Sequence, residues 1–456
     1  MPRLLDAMGD SRKAWLALFG TAIALRLAFA LAAPHLGIFD GSESNSVVAR
    51  GSDGYEGIAR NLLKGNGYRI RADIAPTMMR NPGYVAVVAA TFALFGDHPI
   101  VGFVLQSLIS GIVVLLIGWV GQPVVGPGAA FLAAALYAAY PADWLACARY
   151  ILEPMLGLLT LGILLALRLW MHRASAAAGA LLGLAAGAMA LTKSVAVWLL
   201  VFLLIWMVLF LPEVRRRVRT LLVPAAVALV ISWLILLPWG WYNYSRSGHW
   251  IFTSTIVGWA LFDSQYINRL SHRDVARVDL WLESRAAARR LGQQAGIEAD
   301  PRDPWTVSFF DIRDEYAMGE LLKTHALRDI KTDPVTFASG VLRGLTEFWY
   351  AARSRTASLI GMAMNLPILA LGIYGALKGR LYRHPEATCW IATIVYMNLV
   401  AAVSFAVARY AIPVMPLVFL LATAGLMRGI GRWDSSGPIK SDRLRPGKVA
   451  CDAQRE

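Results

Sequence analysis

Long apolar stretches alternate with short polar ones along most of the chain. Windows of about twenty apolar residues, enough to cross a hydrocarbon core about 30 Å thick as a helix, fall at residues 14–35, 99–120, 124–141, 150–170, 176–192, 194–212, 220–239, 359–377, 388–406 and 408–428. These ten segments predict membrane-spanning helices, because backbone polar groups in lipid must be satisfied internally. An eleventh stretch, 83–95, follows Pro82 and is short for a crossing, which suits an interfacial or re-entrant helix. Two long polar gaps remain, 36–98 and 240–358. In the second, the patterns at 278–290 and 311–327 predict short surface helices, and residues 300–304, with two prolines, read as a loop.

Composition agrees with a polytopic membrane protein. Of 456 residues, 57% are hydrophobic and only 16% charged, far from the balance of a soluble domain. A net charge of +14 would point to nucleic acid in a soluble protein. Here the excess sits beside the spans: Arg215, Arg216, Arg217 and Arg219; Lys378, Arg380 and Arg383; then Arg428, Arg432, Lys440, Arg443, Arg445 and Lys448. Such clusters mark the cytoplasmic side. With ten crossings and a cytoplasmic N-terminus, every cluster falls inside and both long polar segments fall outside. The expected partner is therefore the lipid bilayer, not nucleic acid, and the expected location is the cell (inner) membrane.

Arg3, Arg12 and Lys13 precede the first apolar run as in a signal peptide, but the run is long and Arg26 interrupts it. It reads as a retained helix. The chain then divides into an N-terminal bundle (1–239, with outer loop 36–98), an outer region (240–358), C-terminal helices (359–428) and a basic cytoplasmic tail (429–456). Gly179, Gly183 and Gly187, at four-residue spacing, predict close helix packing. Cys147, Cys389 and Cys451 are widely separated, so neither a disulfide framework nor a zinc site is expected. No phosphate-binding glycine loop is present, and no nucleotide cofactor is expected.

The parity argument gathers the unusual polar residues on the outer side. Asp53, Tyr55 and Glu56 lie in the first outer loop, Arg149 and Glu153 open the span near 150, Lys193 sits in a tight turn, and Arg409 and Tyr410 open the last span. Each has a structural alternative. Asp53 with Glu56 resembles a capping box, Glu153 could pair with Arg149 one turn away, and Lys193 and Arg409 could reach to headgroups. The chemical alternative is a carboxylate that takes a proton beside two cations suited to a lipid-linked phosphate.

In order along the chain stand Asp53 with Tyr55 and Ala59; Gly65-Asn66-Gly67-Tyr68; Arg80-Asn81-Pro82-Gly83-Tyr84 with Leu94-Phe95-Gly96; and Arg149 through Glu153-Pro154. Leu191-Thr192-Lys193, Pro238-Trp239 with Asn243-Tyr244, Asp333-Pro334, and Arg409-Tyr410 with Pro413 and Pro416 follow. This series resembles the GT-C superfold glycosyltransferases, in the branch of protein O-mannosyltransferases and lipid A aminoarabinose transferases. The resemblance implies an all-α polytopic membrane protein, a GT-C-like bundle of ten to eleven transmembrane helices with extracytoplasmic loops. It implies transfer of a sugar from a polyprenyl-phosphate donor to an extracytoplasmic acceptor: a glycolipid, lipopolysaccharide or other envelope glycan. Carried across, Asp53 becomes the catalytic carboxylate, with Glu153 the second catalytic candidate. Tyr55, Glu56, Arg80, Tyr84, Arg149, Lys193, Asn243, Arg409 and Tyr410 become candidates for substrate binding. Many relatives have Asp-Glu where this chain has Asp53-Gly54, so dependence on a divalent metal ion stays open. The competing reading is a transporter or flippase of a lipid-linked sugar, which would place its charges at the bilayer midplane on broken helices in related halves.

Overall fold

The structure, a computed structural model, describes residues 2–35, 53–270, 277–303, 308–352 and 354–429. The start of the first outer loop and the basic tail beyond 429 lie outside the described residues. The chain forms α1 (Pro2–Asp10), α2 (Arg12–Ala32), α3 (Tyr55–Leu63), α4 (Pro82–Phe95), α5 (Pro99–Val125), α6 (Pro127–Ala138), α7 (Pro141–Cys147), α8 (Glu153–Arg173), α9 (Ala176–Thr192) and α10 (Leu199–Phe210). It continues through α11 (Pro212–Arg216), α12 (Val218–Ser247), α13 (Ile256–Leu270), α14 (Arg277–Gln294), α15 (Ile312–Thr332), α16 (Pro334–Tyr350), α17 (Arg355–Lys378), α18 (Pro385–Val403) and α19 (Met415–Gly429). Tight 3-10 turns at Ala408–Val414 and Ser194–Ala196 lead into α19 and α10. Many starts are set by proline in the first turn, as in α4, α5, α8 and α18, where its missing N–H would be unpaired anyway.

Among the described residues, seven segments are long and apolar enough to cross a membrane: α2, α5, α8, α12, α17, α18 and Ala408–Met427. The expected span at 124–141 is instead two helices, α6 and α7, bent by 55°. A buried network accounts for the break. At the end of α6, Arg26 donates to the carbonyls of Ala138 (3.1 Å) and Tyr137 (3.3 Å), which the ended helix no longer pairs within its i to i+4 ladder and which also accept from Trp144 Nε1 and Tyr140 N. Its Nε meets Asp143 Oδ2 at 2.7 Å, and Ser110 and Tyr137 donate to the same carboxylate. Both charged side chains are fully buried, so removing either one alone should cost about 3–5 kcal/mol.

Helices α9 and Ser194–Phe210 match expected spans but are short, at 17 residues or fewer. Gly179, Gly183 and Gly187 do mediate close packing: a Cβ at any of them would collide with α12 at Pro224, Ala228 or Ile235. α4, 14 residues long, does not run from one end of the bundle to the other. Its first turn meets the end of α9, where Asn81 donates to Ala190 O at 2.9 Å, and its last turn packs Phe92 on Tyr150, just before α8. Both contacts are at the same end of the bundle, so α4 lies across it.

The polar region after 240 is a helical layer over that end. α12 runs unbroken past the boundary read at 239, and α17 begins before the one read at 359. The two expected surface helices are α14 and α15; α13 and α16 were not foreseen. α13 packs on α15, and α16 on α18. Asp263 of α13 accepts from Trp281, Ser284 and Arg285 of α14, fixing the layer internally.

Candidate active site

The polar segment before α3 enters the layer at Asp53. The next residue, Gly54, takes φ 87°, a left-handed conformation that glycine adopts without strain, and helix α3 starts at Tyr55. The cap is therefore Gly54, with no side-chain hydrogen bond, and the capping-box alternative for Asp53 and Glu56 fails. The positive-φ residue turns the chain, so Asp53 does not share a helix face with Glu56. Its carboxylate instead meets Arg409, 356 residues away: Nη2 lies 2.9 Å from Oδ2 and Nη1 3.4 Å from Oδ1.

Arg409 holds a second carboxylate. Its Nε lies 2.8 Å from Glu153 Oε1, off the line of a true hydrogen bond, so this is a charge contact. Glu153 is fully buried at the first position of α8, where the helix dipole favours a negative charge. The cation that pairs with Glu153 is thus Arg409, whereas the structural alternative read from the sequence was Arg149. The Arg149 carbonyl accepts from Gln106 at 2.9 Å, bracing the loop before α8.

Two further cations close the ring. Arg80 Nε donates to the Asp53 carbonyl at 2.7 Å, and its guanidinium lies 5.9 Å from the Tyr55 ring centroid. Lys193, the residue that ends α9, has its Nζ 4.0 Å from the ring centroid of Tyr410, a cation–π contact. The contact sets the Lys193 charge beside Asp53. Tyr55 and Tyr84 meet edge to face at 5.1 Å, and the buried Tyr84 hydroxyl has no hydrogen-bond partner among the described residues. Glu56 is buried near Tyr84, Tyr150 and Arg60; burial raises both tyrosine hydroxyls, and the Glu56 charge adds to it. Asn243 is engaged elsewhere, donating to Ile251 O at 2.7 Å in the turn that ends α12.

Burial raises the Asp53 carboxyl, but the charges of Arg409, Arg80 and Lys193 outweigh it and bring the pKa down to about 2. Asp53 is therefore ionised throughout the physiological range, and its side chain is 23% exposed, within reach of a ligand. Two carboxylates face three cations, which leaves the cluster positive and suited to an anion. No three His, Cys, Asp or Glu side chains converge among the described residues, and the charge set between Asp53 and Glu153 is Arg409.

The arginine-rich loops are at the far end. α8 leads from Glu153 to Arg173 and α9 returns to Lys193, whereas Arg215–Arg219 and Lys378–Arg383 lie between helices that point away from the cluster. The contact of Arg168 with Glu386 at 3.2 Å closes that opposite end.

No family model matches the chain, and no curated protein matches it in sequence. Solved structures do. The oligosaccharyltransferase of Archaeoglobus fulgidus, solved tethered to an acceptor peptide containing the NVT sequon, is 14% identical; the match covers 92% of this chain and 50% of that one, with a TM-score of 0.54. Its apo form is 13% identical over 91% and 51%, with a TM-score of 0.51. ArnT from Cupriavidus metallidurans bound to undecaprenyl phosphate is 16% identical over 92% of this chain and 79% of that one, with a TM-score of 0.41. The fold rests on the oligosaccharyltransferase, and the chain spans about half that protein's length. The chain thus shares the helical membrane fold of the oligosaccharyltransferase, a GT-C-like bundle.

Proposed function

We propose that the protein is a membrane glycosyltransferase that moves a sugar from a polyprenyl-phosphate donor to an acceptor on the extracytoplasmic side. The observation that carries the proposal is the convergence of Asp53, Glu153, Arg80, Lys193 and Arg409 at one end of a GT-C bundle. The arginine-rich loops at the opposite end, read by the positive-inside rule, support an extracytoplasmic position for the cluster, and the membrane we propose is the cell (inner) membrane. A transporter would need its charges at the midplane.

A glycosyl phosphate carries its own leaving group, so the protein must supply a base for the acceptor and positive charge for the departing phosphate. The acceptor hydroxyl oxygen bonds to the anomeric carbon from the face opposite the phosphate, and its proton passes to Asp53. The bond from that carbon to the phosphate oxygen breaks, and the lipid phosphate leaves with the electron pair, held by Lys193, Arg409 and Arg80. Configuration inverts.

With its pKa near 2, Asp53 is a weak base while Arg409 holds it in a fork. A bound phosphate competes for Arg409 and Lys193, which weakens their hold on Asp53 and makes it more basic. Glu153 then keeps Arg409 in place by its own charge. The acceptor class we propose is a glycolipid or envelope glycan. Mass spectrometry of envelope glycolipids and glycans from a deletion strain tests this reading: a lost sugar, restored by the wild-type gene, with the unused lipid-linked donor accumulating on the outer face supports it; the same loss with the donor trapped on the inner face favours a flippase, and an unchanged profile overturns both.

A further inference from the structure

Glu315 of α15 belongs to none of these contacts, yet three donors from two loops converge on its buried carboxylate. Thr77 Oγ1 donates to Oε2 at 2.7 Å, Met78 N to Oε1 at 2.8 Å, and Thr255 Oγ1 to Oε1 at 2.8 Å. The same stretch is fastened twice more, by Ser254 Oγ donating to Met79 O at 2.5 Å and Thr255 N to Met78 O at 3.3 Å. Residue 80 is the arginine that donates to the Asp53 carbonyl. Residue 81 accepts from Ser194, next to Lys193, at 2.9 Å. Five consecutive residues, 77–81, therefore run from Glu315 to the backbone of Asp53 and the turn that carries Lys193.

We propose that Glu315 is a positioning residue which, through residues 77–81, fixes Arg80 on the Asp53 backbone and so sets the Asp53 carboxylate against Arg409 and Lys193. The carboxylate fits this task because it accepts all three donors and brings no donor of its own that would need a partner. Its place in catalysis rests on the glycosyl-transfer reading; the fastening itself does not. The groups whose charge couples to Glu315 are Arg80 on the fastened segment, Tyr68 in the same outer loop and Tyr242 of α12. Burial, only partly offset by the hydrogen bonds, raises Glu315 to about 7. Its ionisation thus changes near neutral pH.

The test is hydrogen exchange read by mass spectrometry on the full-length protein, with Glu315→Ala, Glu315→Gln and Arg80→Ala. Glutamine keeps the shape, since its amide can donate to Thr77 Oγ1. Glu315→Ala should speed exchange at both 77–81 and 53–60 by at least about tenfold, the scale of one lost hydrogen bond to a charged group. Arg80→Ala should speed 53–60 alone, and Glu315→Gln should follow the wild type at pH 6. Between pH 6 and 8, after correction for intrinsic rates, protection at 53–60 should change in the wild type but not in Glu315→Gln, a comparison that needs no alanine variant to fold. Unchanged exchange at 53–60 in a folded Glu315→Ala protein, or a wild-type pH response that persists in Glu315→Gln, overturns the proposal. Binding of undecaprenyl phosphate is measured alongside. If the wild type does not bind it, the donor reading falls while the exchange result still decides the role of Glu315.

Discussion

Arg409 grips Asp53 with both terminal nitrogens and turns its Nε toward Glu153, so one guanidinium spans two carboxylates from distant parts of the chain. On the proposed glycosyl-transfer reading, Arg409 is the switch point between this closed ion-pair cluster and a site that holds phosphate. An arginine suits this because its planar fork serves two acceptors and stays charged at every relevant pH.

Asp53→Asn is expected to lower glycosyl transfer by at least about a hundredfold, the usual scale of general-base loss. The protein should still fold, because the Asp53–Arg409 pair is partly exposed and asparagine keeps the shape of the side chain and an oxygen that accepts from Arg409. Arg409 also keeps Glu153. Turnover and thermal unfolding measured on the same purified variant check both halves; near-normal turnover removes Asp53 from the chemistry.

Lys193→Ala should weaken undecaprenyl phosphate binding by about 1.5–3 kcal/mol, the worth of a charge-assisted contact. Arg409→Ala should do the same, but it also strands Glu153 as a buried, unpaired charge, so Arg409→Lys is the companion variant. If both cations grip one phosphate, the double variant departs from additivity. Calorimetry in detergent with a short-chain polyprenyl phosphate reads this directly. Independent, additive losses would mean that the two cations serve different groups.

Topology has a direct check. Cysteines placed at exposed Lys64 and Thr324, on the cluster's end, should react with a membrane-impermeant thiol reagent in intact cells or spheroplasts, whereas one at exposed Arg216 should not. Native Cys147 and Cys389 are buried, and Cys451→Ser removes the third thiol. Labelling at Arg216 alone would turn the protein over and move the site to the cytoplasmic face.

Much of the fold was legible because hydropathy is a one-dimensional signal: each of the ten expected spans coincides with a helix or a bent helix pair. The break at 139–140 was not, since it depends on Arg26 reaching from α2 to Asp143 of α7. At the site, the residue types were legible but their pairing was not. Glu153 was read against Arg149, its neighbour in sequence, whereas its partner is 256 positions away in the last span. Gly54 hid in plain view, because an Asp-Gly step before a helix fits a cap at either residue. Glu315 left no trace at all: in an amphipathic helix rich in charge, nothing marks the one carboxylate whose partners come from two other loops.

That carboxylate has a signature in pH. Glu315 has its pKa raised from an ordinary 4.5 to about 7 in the folded protein, so folding favours its protonated form. The sign follows from linkage: the associated stabilisation is fully present below about pH 4.5 and is lost as pH rises through about 7. At about 1.4 kcal/mol per pH unit, the full effect is about 3 kcal/mol. Asp53 contributes in the opposite sense, but only in acid, where its ion pair is lost as pH falls from about 4 toward about 2. Between pH 6 and 8 the two do not overlap. Thermal unfolding of the purified wild type should therefore shift down by a few degrees across that interval, and Glu315→Gln, which cannot ionise, should show a flatter profile over the same range. Parallel profiles for the two proteins would mean that Glu315 does not titrate there, and that the loops it fastens are held equally well by a permanently charged carboxylate.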